Sequence, residues 1–115
     1  NNMTFLQLQN ADGKYVSPDD ATFAAAAASA DWFSVPGMGI SMVNAKGANS
    51  WPVSTASFIL MYKDPADKAQ SAEVLKFFDW AFKNGKQMAV ELDYVPLPDS
   101  LTAEIRSKVW TQIKK

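Results

Sequence analysis

The stretch WPVSTASFILMYKDP, residues 51–65, is the part of the sequence that predicts the fold class. Its first half alternates between apolar and polar residues, as in a strand with one covered face. Its second half, Phe58 to Met61, is apolar on both faces, as in a strand that helices cover on each side. Asp64 and Pro65 predict the end of the strand. The stretch therefore predicts a central β-strand in an α/β domain.

The sequence after this stretch is helical in pattern. A helix is predicted from about Asp67 to Asn84, with Gly85 as a left-handed C-cap. Its apolar stripe has helical spacing and consists of Val74, Phe77, Phe78, Ala81 and Phe82. Residues 86–92 predict a short helix. The last helix is predicted to begin near Asp99 or Ser100, with an apolar seam of Leu101, Ile105, Val109 and Ile113.

The sequence before the stretch predicts a short hairpin and one helix. Asp12 and Gly13 form a tight-turn signal between two weakly alternating segments. Ser17 is predicted to cap a helix that carries Pro18 at its first position, is rich in alanine and ends by Asp31. Residues 33–50 predict an irregular connection. The order strand, helix, strand, helix, helix is typical of an α/β fold.

Composition excludes several classes of function. The chain has 115 residues, 48% of them apolar, which suits one domain or a piece of a larger one. Eleven basic and twelve acidic side chains leave a net charge of −1, which argues against a nucleic-acid partner. The sequence has no His and no Cys, so Ser-His triads, thiol nucleophiles and imidazole or thiolate zinc sites are excluded. We therefore expect no enzymatic activity, no metal and no cofactor.

Two polar clusters have a structural interpretation that outweighs a catalytic one. Asp19 and Asp20 lie in the first turn of the predicted helix, where the helix macrodipole favours carboxylates. Ser54, Thr55 and Ser57 form a hydroxyl cluster, but the sequence places no general base beside them. Neither cluster predicts catalysis.

The basic and aromatic residues also favour structural roles. Five lysines alternate with acidic residues on helical surfaces and predict a solvated face: Lys83, Lys86, Lys108, Lys114 and Lys115. Arg106, the only arginine, is predicted to lie on the outer helix without a companion. Trp80 and Trp110 are predicted to be buried or half-buried. Trp51 lies at the start of the predicted central strand and is the best candidate among the tryptophans for a functional role.

Several segments, in their order and spacing, resemble a known receptor family. They are Ala11–Lys14, Val16–Pro18, Trp51–Thr55 running into Phe58–Leu60, Glu73–Ala81, Leu92–Tyr94 and Leu97–Ser100. Together they resemble the C-terminal third of the periplasmic phosphate-binding receptors of bacterial phosphate ABC transporters. The resemblance covers essentially the whole chain, which we therefore expect to be a fragment of such a receptor.

The resemblance implies a two-lobed periplasmic-binding-protein fold of type II, with inorganic phosphate bound between the lobes. It implies a periplasmic parent whose partners are phosphate and the membrane subunits of the transporter. Residues 1–50 would be a second-lobe segment with the hairpin, the alanine-rich helix and the irregular connection. Residues 51–115 would be a first-lobe segment with the central strand and the C-terminal helices. Trp51 and Pro52 would form a hinge, because proline restrains the preceding residue to extended conformations.

The phosphate-binding motifs of that family are missing from this sequence. The family uses a Thr-Phe-Ser-like helix start, an Asp and a Ser from loops, and an Arg followed by a Ser-Gly-Thr helix start. Thr4-Phe5 lacks the serine and the helix signal, and Arg106 lacks the Ser-Gly-Thr context. We expect the fragment to supply scaffold and hinge but no phosphate ligand. The alternative is a stand-alone interaction or scaffold module derived from such a receptor.

The predicted central strand has a further consequence for assembly. Phe58 to Met61 is patterned for a sheet interior, whereas the sequence provides few neighbouring strands. Because an unpaired apolar strand favours pairing with another chain, we expect self-association of the fragment.

Overall fold

The computed structural model describes residues 4–114. The chain forms two compact units, and the boundary between them lies between Ser57 and Phe58. The regular elements of the first unit are strand β1 (Leu8–Gln9), strand β2 (Tyr15–Val16), helix α1 (Asp20–Ser29) and a 3₁₀ turn (Pro36–Met38). Those of the second unit are α2 (Lys68–Asn84), α3 (Lys86–Glu91), α4 (Asp99–Glu104), a π-helical segment (Ile105–Val109) and a 3₁₀ turn (Trp110–Gln112).

The predicted hairpin is present. Strands β1 and β2 pair antiparallel, with Leu8 opposite Val16 and Gln9 opposite Tyr15. Gly13 has a φ of 73°, a left-handed conformation that glycine adopts without steric cost. The Asp-Gly turn signal therefore predicted this element from local chemistry alone.

The N-cap of helix α1 lies two residues later than predicted. The carboxylate of Asp19 accepts a hydrogen bond of 2.8 Å from the Thr22 amide, and the Thr22 hydroxyl lies 3.2 Å from the Asp19 amide in a capping box. Ser17 instead accepts a bond from the Gln7 side chain, so the prediction of Ser17 as the cap is wrong. The helix ends at Ser29, within the predicted limit of Asp31.

The core of the first unit surrounds the buried face of α1. Buried side chains include Ala26 and Ala27 of the helix, together with Trp32 and Met42 from the irregular connection. The Trp32 indole N–H donates to the Ala27 carbonyl at 2.7 Å, which satisfies the polar atom of a buried ring. Small alanine side chains thus allow a large indole to pack directly against the helix.

Helix α2 has the predicted bounds, but its end differs in conformation. Asp67 caps its start by accepting from the Gln70 amide at 2.8 Å. Gly85 has φ −85° and ψ −3°, so the predicted left-handed C-cap is wrong. A Cβ at this position would lie 2.6 Å from the Ala81 carbonyl oxygen. Close approach of the backbone, rather than a positive φ, therefore explains the glycine, and α3 follows directly.

The predicted central strand is absent from the structure. Among residues 4–114, the only sheet is the two-stranded β1–β2 pair, and residues 53–61 follow an irregular path. A strand forms through hydrogen bonds to neighbouring strands, and the described chain places none beside this segment. The structure is accordingly rich in helix rather than a layered α/β sheet, and the two-lobed architecture stays a prediction.

Candidate functional site

The only arginine of the chain is held between helix α2 and the π-helical segment. The Arg106 Nε donates to Asp79 Oδ1 at 2.7 Å, and Lys83 Nζ lies 2.5 Å from Asp79 Oδ2. The rings of Phe82 and Trp110 stack 5.7 Å apart with an angle of 6° between their planes. The guanidinium carbon lies 5.7 and 5.9 Å from their centres, within reach of a cation–π interaction. The expectation that Arg106 lacks a companion is therefore wrong.

The two cations determine the charge state of Asp79. Its pKa is lowered from the ordinary 3.8, first by the hydrogen bond from Lys83 and then by that from Arg106. The carboxylate is therefore ionised at neutral pH and balances part of the local positive charge. Because Arg106 already donates to this carboxylate and also contacts Thr102, the cluster is built as a clamp between helices rather than as an anion receptor.

A groove of about 660 Å³ lies beside this clamp in the second unit. Trp80 and Trp110 contribute aromatic surface to it, and Lys76 and Lys83 stand on its rim. Lys76 pairs with Glu73 at 2.6 Å, as Lys83 pairs with Asp79. Trp80 is 48% exposed, which agrees with the prediction that it is buried or half-buried. The groove combines apolar walls with lysines that are already paired.

The polar clusters singled out in the sequence do not form a reactive site. Asp19 and Asp20 cap and begin α1, as their first-turn interpretation predicts. Ser54 is buried and its hydroxyl donates to the Trp51 carbonyl at 3.2 Å, while Thr55 and Ser57 are exposed. Within residues 4–114, no group of three or more His, Cys, Asp or Glu side chains is arranged to hold a metal ion.

The proposed hinge residues lie inside the first unit. Trp51 and Pro52 are both buried. The Trp51 ring meets Phe23 edge-on at 6.0 Å, and its amide donates to the Thr22 carbonyl at 3.0 Å. The Pro52 carbonyl accepts from the Asn44 amide at 2.7 Å. The boundary between the units follows Ser57, and the hinge role of Trp51 and Pro52 stays a prediction.

Sequence reasoning missed the most connected polar residue of the first unit. The Asn10 side chain is buried, and its Nδ2 lies 3.1, 2.9 and 3.2 Å from the carbonyl oxygens of Gly47, Ala48 and Ser50. Its Oδ1 accepts from two amides of the hairpin turn. The neighbouring Asp-Gly turn was a local signal, but the partners at 47–50 are distant in sequence. Asn10 joins the hairpin to the irregular connection.

No helix in the described part of the chain has the length and apolar character that a membrane crossing requires.

Comparison with known proteins finds phosphate-binding proteins among the relatives of the chain. No protein-family model matches the sequence. The phosphate-binding protein PstS of Pasteurella multocida is 46% identical over 114 residues, which are 99% of this chain and 33% of the relative. PstS of Haemophilus influenzae is 42% identical over 115 residues, covering 100% of this chain and 34% of the relative. PstS of Xylella fastidiosa is 44% identical over 107 residues, which are 93% of this chain and 29% of the relative.

The chain thus spans about a third of the length of the curated relatives that it matches. The matched region covers essentially the whole chain. Over essentially its whole length, the chain is similar to the phosphate-binding protein PstS, of which it matches about one third.

Proposed function

We propose that this chain is part of a periplasmic receptor that captures inorganic phosphate and delivers it to the membrane subunits of a phosphate ABC transporter. The observation that carries the proposal is the 46% identity to a phosphate-binding protein over 99% of the chain. Within such a receptor, the segment supplies scaffold and hinge. Its contribution is structural support rather than catalysis.

We further propose that this segment provides no phosphate ligand. Selective capture of a dianion needs several donors that converge from both sides of a closed cleft, commonly with an arginine and helix N-termini. The clamp that holds Arg106 on Asp79 supports the proposal, since this guanidinium already has an anionic partner. The capping carboxylate of Asp19 and the adjacent Asp20 also make the start of α1 unfavourable for an anion.

Calorimetric titration of the chain with inorganic phosphate at physiological ionic strength tests this proposal. We expect no saturable heat in the micromolar range, because screened surface lysines give only weak, salt-sensitive association. PstS of Pasteurella multocida, titrated in the same buffer, is the positive control. Saturable one-to-one binding that survives added salt would show that the segment does carry a ligand set.

The hinge is tested in a PstS-length receptor that contains this segment. Proline fixes its own φ and restricts the residue before it, so Pro52→Gly should loosen the crossing at Trp51. Small-angle scattering with and without phosphate should then show a larger change in radius of gyration for Pro52→Gly than for the unmodified receptor. Pro36→Gly, at an exposed position in the irregular connection, is the matched control. Equal behaviour of both variants would contradict a hinge at residues 51–52.

The second candidate is a stand-alone interaction or scaffold module derived from such a receptor. Exposed aromatic side chains on α2, among them Phe77 and Trp80, favour it because they offer contact area for another macromolecule. Immunoblotting of source cells with an antibody against this chain separates the two candidates. A receptor-sized polypeptide supports the fragment, and a 12.6 kDa band alone supports the module.

A further inference from the structure

The chain contains one Asn-Gly pair, Asn84-Gly85, which lies at the junction of helices α2 and α3. An asparagine loses its side-chain amide most readily when glycine follows it, because glycine has no Cβ to shield its backbone nitrogen. That nitrogen can attack the side-chain carbonyl carbon of the asparagine. The pair is therefore chemically the most labile asparagine site of this sequence.

In the folded chain, hydrogen bonds keep the two reacting groups apart. The Gly85 amide donates to the Ala81 carbonyl oxygen at 2.8 Å, and attack requires the loss of this same proton. The Asn84 Nδ2 donates to the Trp80 carbonyl oxygen at 3.0 Å, one turn back along α2. Helical side chains tilt towards the N-terminus of their helix, and so away from the amide that follows them. The last turn of α2 thus separates the nucleophile from its target.

We propose that Asn84-Gly85 is a deamidation site that the last turn of α2 keeps closed and that local opening of the junction between α2 and α3 activates. Local openings of a helix end cost less free energy than global unfolding. The reagent is solvent water, so the reaction needs no further protein and no cofactor. The modification then records how often this junction opens.

The reaction balances with water as its only co-reactant. The Gly85 nitrogen gives up its proton and forms a bond to Cγ of Asn84, while the bond between Cγ and Nδ2 breaks. The side-chain nitrogen takes up that proton and leaves as ammonia. Water then opens the cyclic imide at either of its carbonyl carbons, which leaves an aspartyl or an isoaspartyl residue at position 84.

Both products weaken the closure that protects the site. The new carboxylate lies at the C-terminal end of α2, where the helix dipole disfavours negative charge, and it cannot donate to the Trp80 carbonyl oxygen. The isoaspartyl form also lengthens the main chain by a carbon atom between residues 84 and 85. The junction has little room for this atom, because even a Cβ on Gly85 would lie 2.6 Å from the Ala81 carbonyl oxygen. The modification is therefore a one-way change of the junction.

Incubation at mildly alkaline pH tests whether the helix end protects the site. The chain is kept in water labelled with heavy oxygen, folded in buffer or unfolded in urea, and peptide mass spectrometry follows position 84. We expect label uptake in urea and about tenfold slower uptake in buffer, which corresponds to an opening free energy of about 1.4 kcal/mol. Asn84→Gln, whose longer side chain does not close the same ring, should take up no label there. Equal rates in buffer and urea, or no uptake in urea, would overturn the proposal.

Two alanine variants distinguish local opening from global unfolding. Ala81→Gly loosens the last turn of α2, whereas Ala72→Gly makes the same change near its start, at a similarly half-buried position. Glycine is about 0.8–1.0 kcal/mol less favourable than alanine in a helix, so Ala81→Gly should speed deamidation of the folded chain about four- to fivefold, at about 1.4 kcal/mol per tenfold. Ala72→Gly should stay within about twofold of the unmodified chain. An equal increase in both variants would show that the site opens only by global unfolding, which contradicts the proposal.

Discussion

At the residue scale, one buried amide organises the first unit. Asn10 is 5% exposed and bonds both to its own turn and to the carbonyl groups of residues 47–50. Gly47, at φ 118°, brings this loop close to Ser50, whose Oγ would lie 2.9 Å from a Cβ on the glycine. The backbone around residue 47 therefore has little freedom, and its carbonyls are held in place for Asn10.

Replacement of Asn10 should be strongly destabilising. Asn10→Ala removes the donor that serves three carbonyl oxygens and the acceptor that serves two amides, and leaving buried polar groups unsatisfied costs about 1–3 kcal/mol each time. We expect a loss of about 3 kcal/mol in the free energy of unfolding, measured by urea unfolding with tryptophan fluorescence. Gln9→Ala, at the neighbouring exposed position, should cost less than about 0.5 kcal/mol. Equal losses in the two variants would contradict the role of Asn10.

The clamp around Asp79 should make stability depend on pH. A lowered pKa in the folded state adds stability above the unfolded pKa, which is close to 3.8, and this stability is lost as pH falls through the lower folded value. Thermal unfolding of the unmodified chain between about pH 6 and pH 2 should therefore show a larger drop in midpoint than that of Asp79→Asn. The two proteins should converge at the acid end.

Asp31→Asn provides the control for this pH experiment. Asp31 occupies an exposed position and takes part in none of the described ion pairs. The variant should keep the full pH dependence of the unmodified chain. If Asp79→Asn keeps it as well, the pairs with Lys83 and Arg106 do not contribute to folding.

At the element scale, helix ends depend on nearby residues, whereas strands depend on partners elsewhere in the chain. Helix α2 begins at its cap Asp67 and ends before Gly85 because the groups that terminate a helix lie within a few residues of it. The predicted strand at 53–61 depends instead on partners elsewhere in the chain. Its alternating pattern is present, but no ladder forms among the described residues. Local chemistry therefore predicted the helices better than the strand.

Two glycine-to-alanine variants distinguish a glycine that a close contact requires from one whose side-chain position is open. Gly85→Ala places a methyl group 2.6 Å from the Ala81 carbonyl oxygen, so the junction of α2 and α3 must shift. We expect a loss of about 1–3 kcal/mol in the free energy of unfolding, as for an overpacked site. Gly39→Ala, at φ −77° with open space around it, should instead be neutral or stabilise by about 0.4–1 kcal/mol. A harmless Gly85→Ala would show that this contact relaxes freely.

At the scale of the whole molecule, the chain consists of two compact units, and an apolar stretch at residues 58–62 directly follows the boundary between them. Large exposed side chains outside any helix or strand mark this region, as they do for a strand that lacks its neighbours.

Limited digestion with chymotrypsin should detect this region. Cuts after Leu60 or Tyr62 should precede cuts after the buried Trp32 and Trp51, because proteases need exposed, flexible backbone. Mass spectrometry of the first fragments identifies the sites. Early cleavage after Trp51 would contradict the compact first unit.

The sequence by itself determined the bounds of α2, the hairpin turn, the short helix α3 and the family resemblance. These features rest on caps, turn residues and motifs that act within a few positions of one another. Only the tertiary structure decided the cap at Asp19, the clamp of Arg106 on Asp79 and the burial of Asn10 against residues 47–50. The clamp and the burial of Asn10 depend on contacts between segments that are far apart in the chain. The cap depends on which of two nearby residues, Ser17 or Asp19, the backbone geometry favours. Local sequence patterns do not show which of several possible partners a residue contacts, because packing in the folded chain selects that partner.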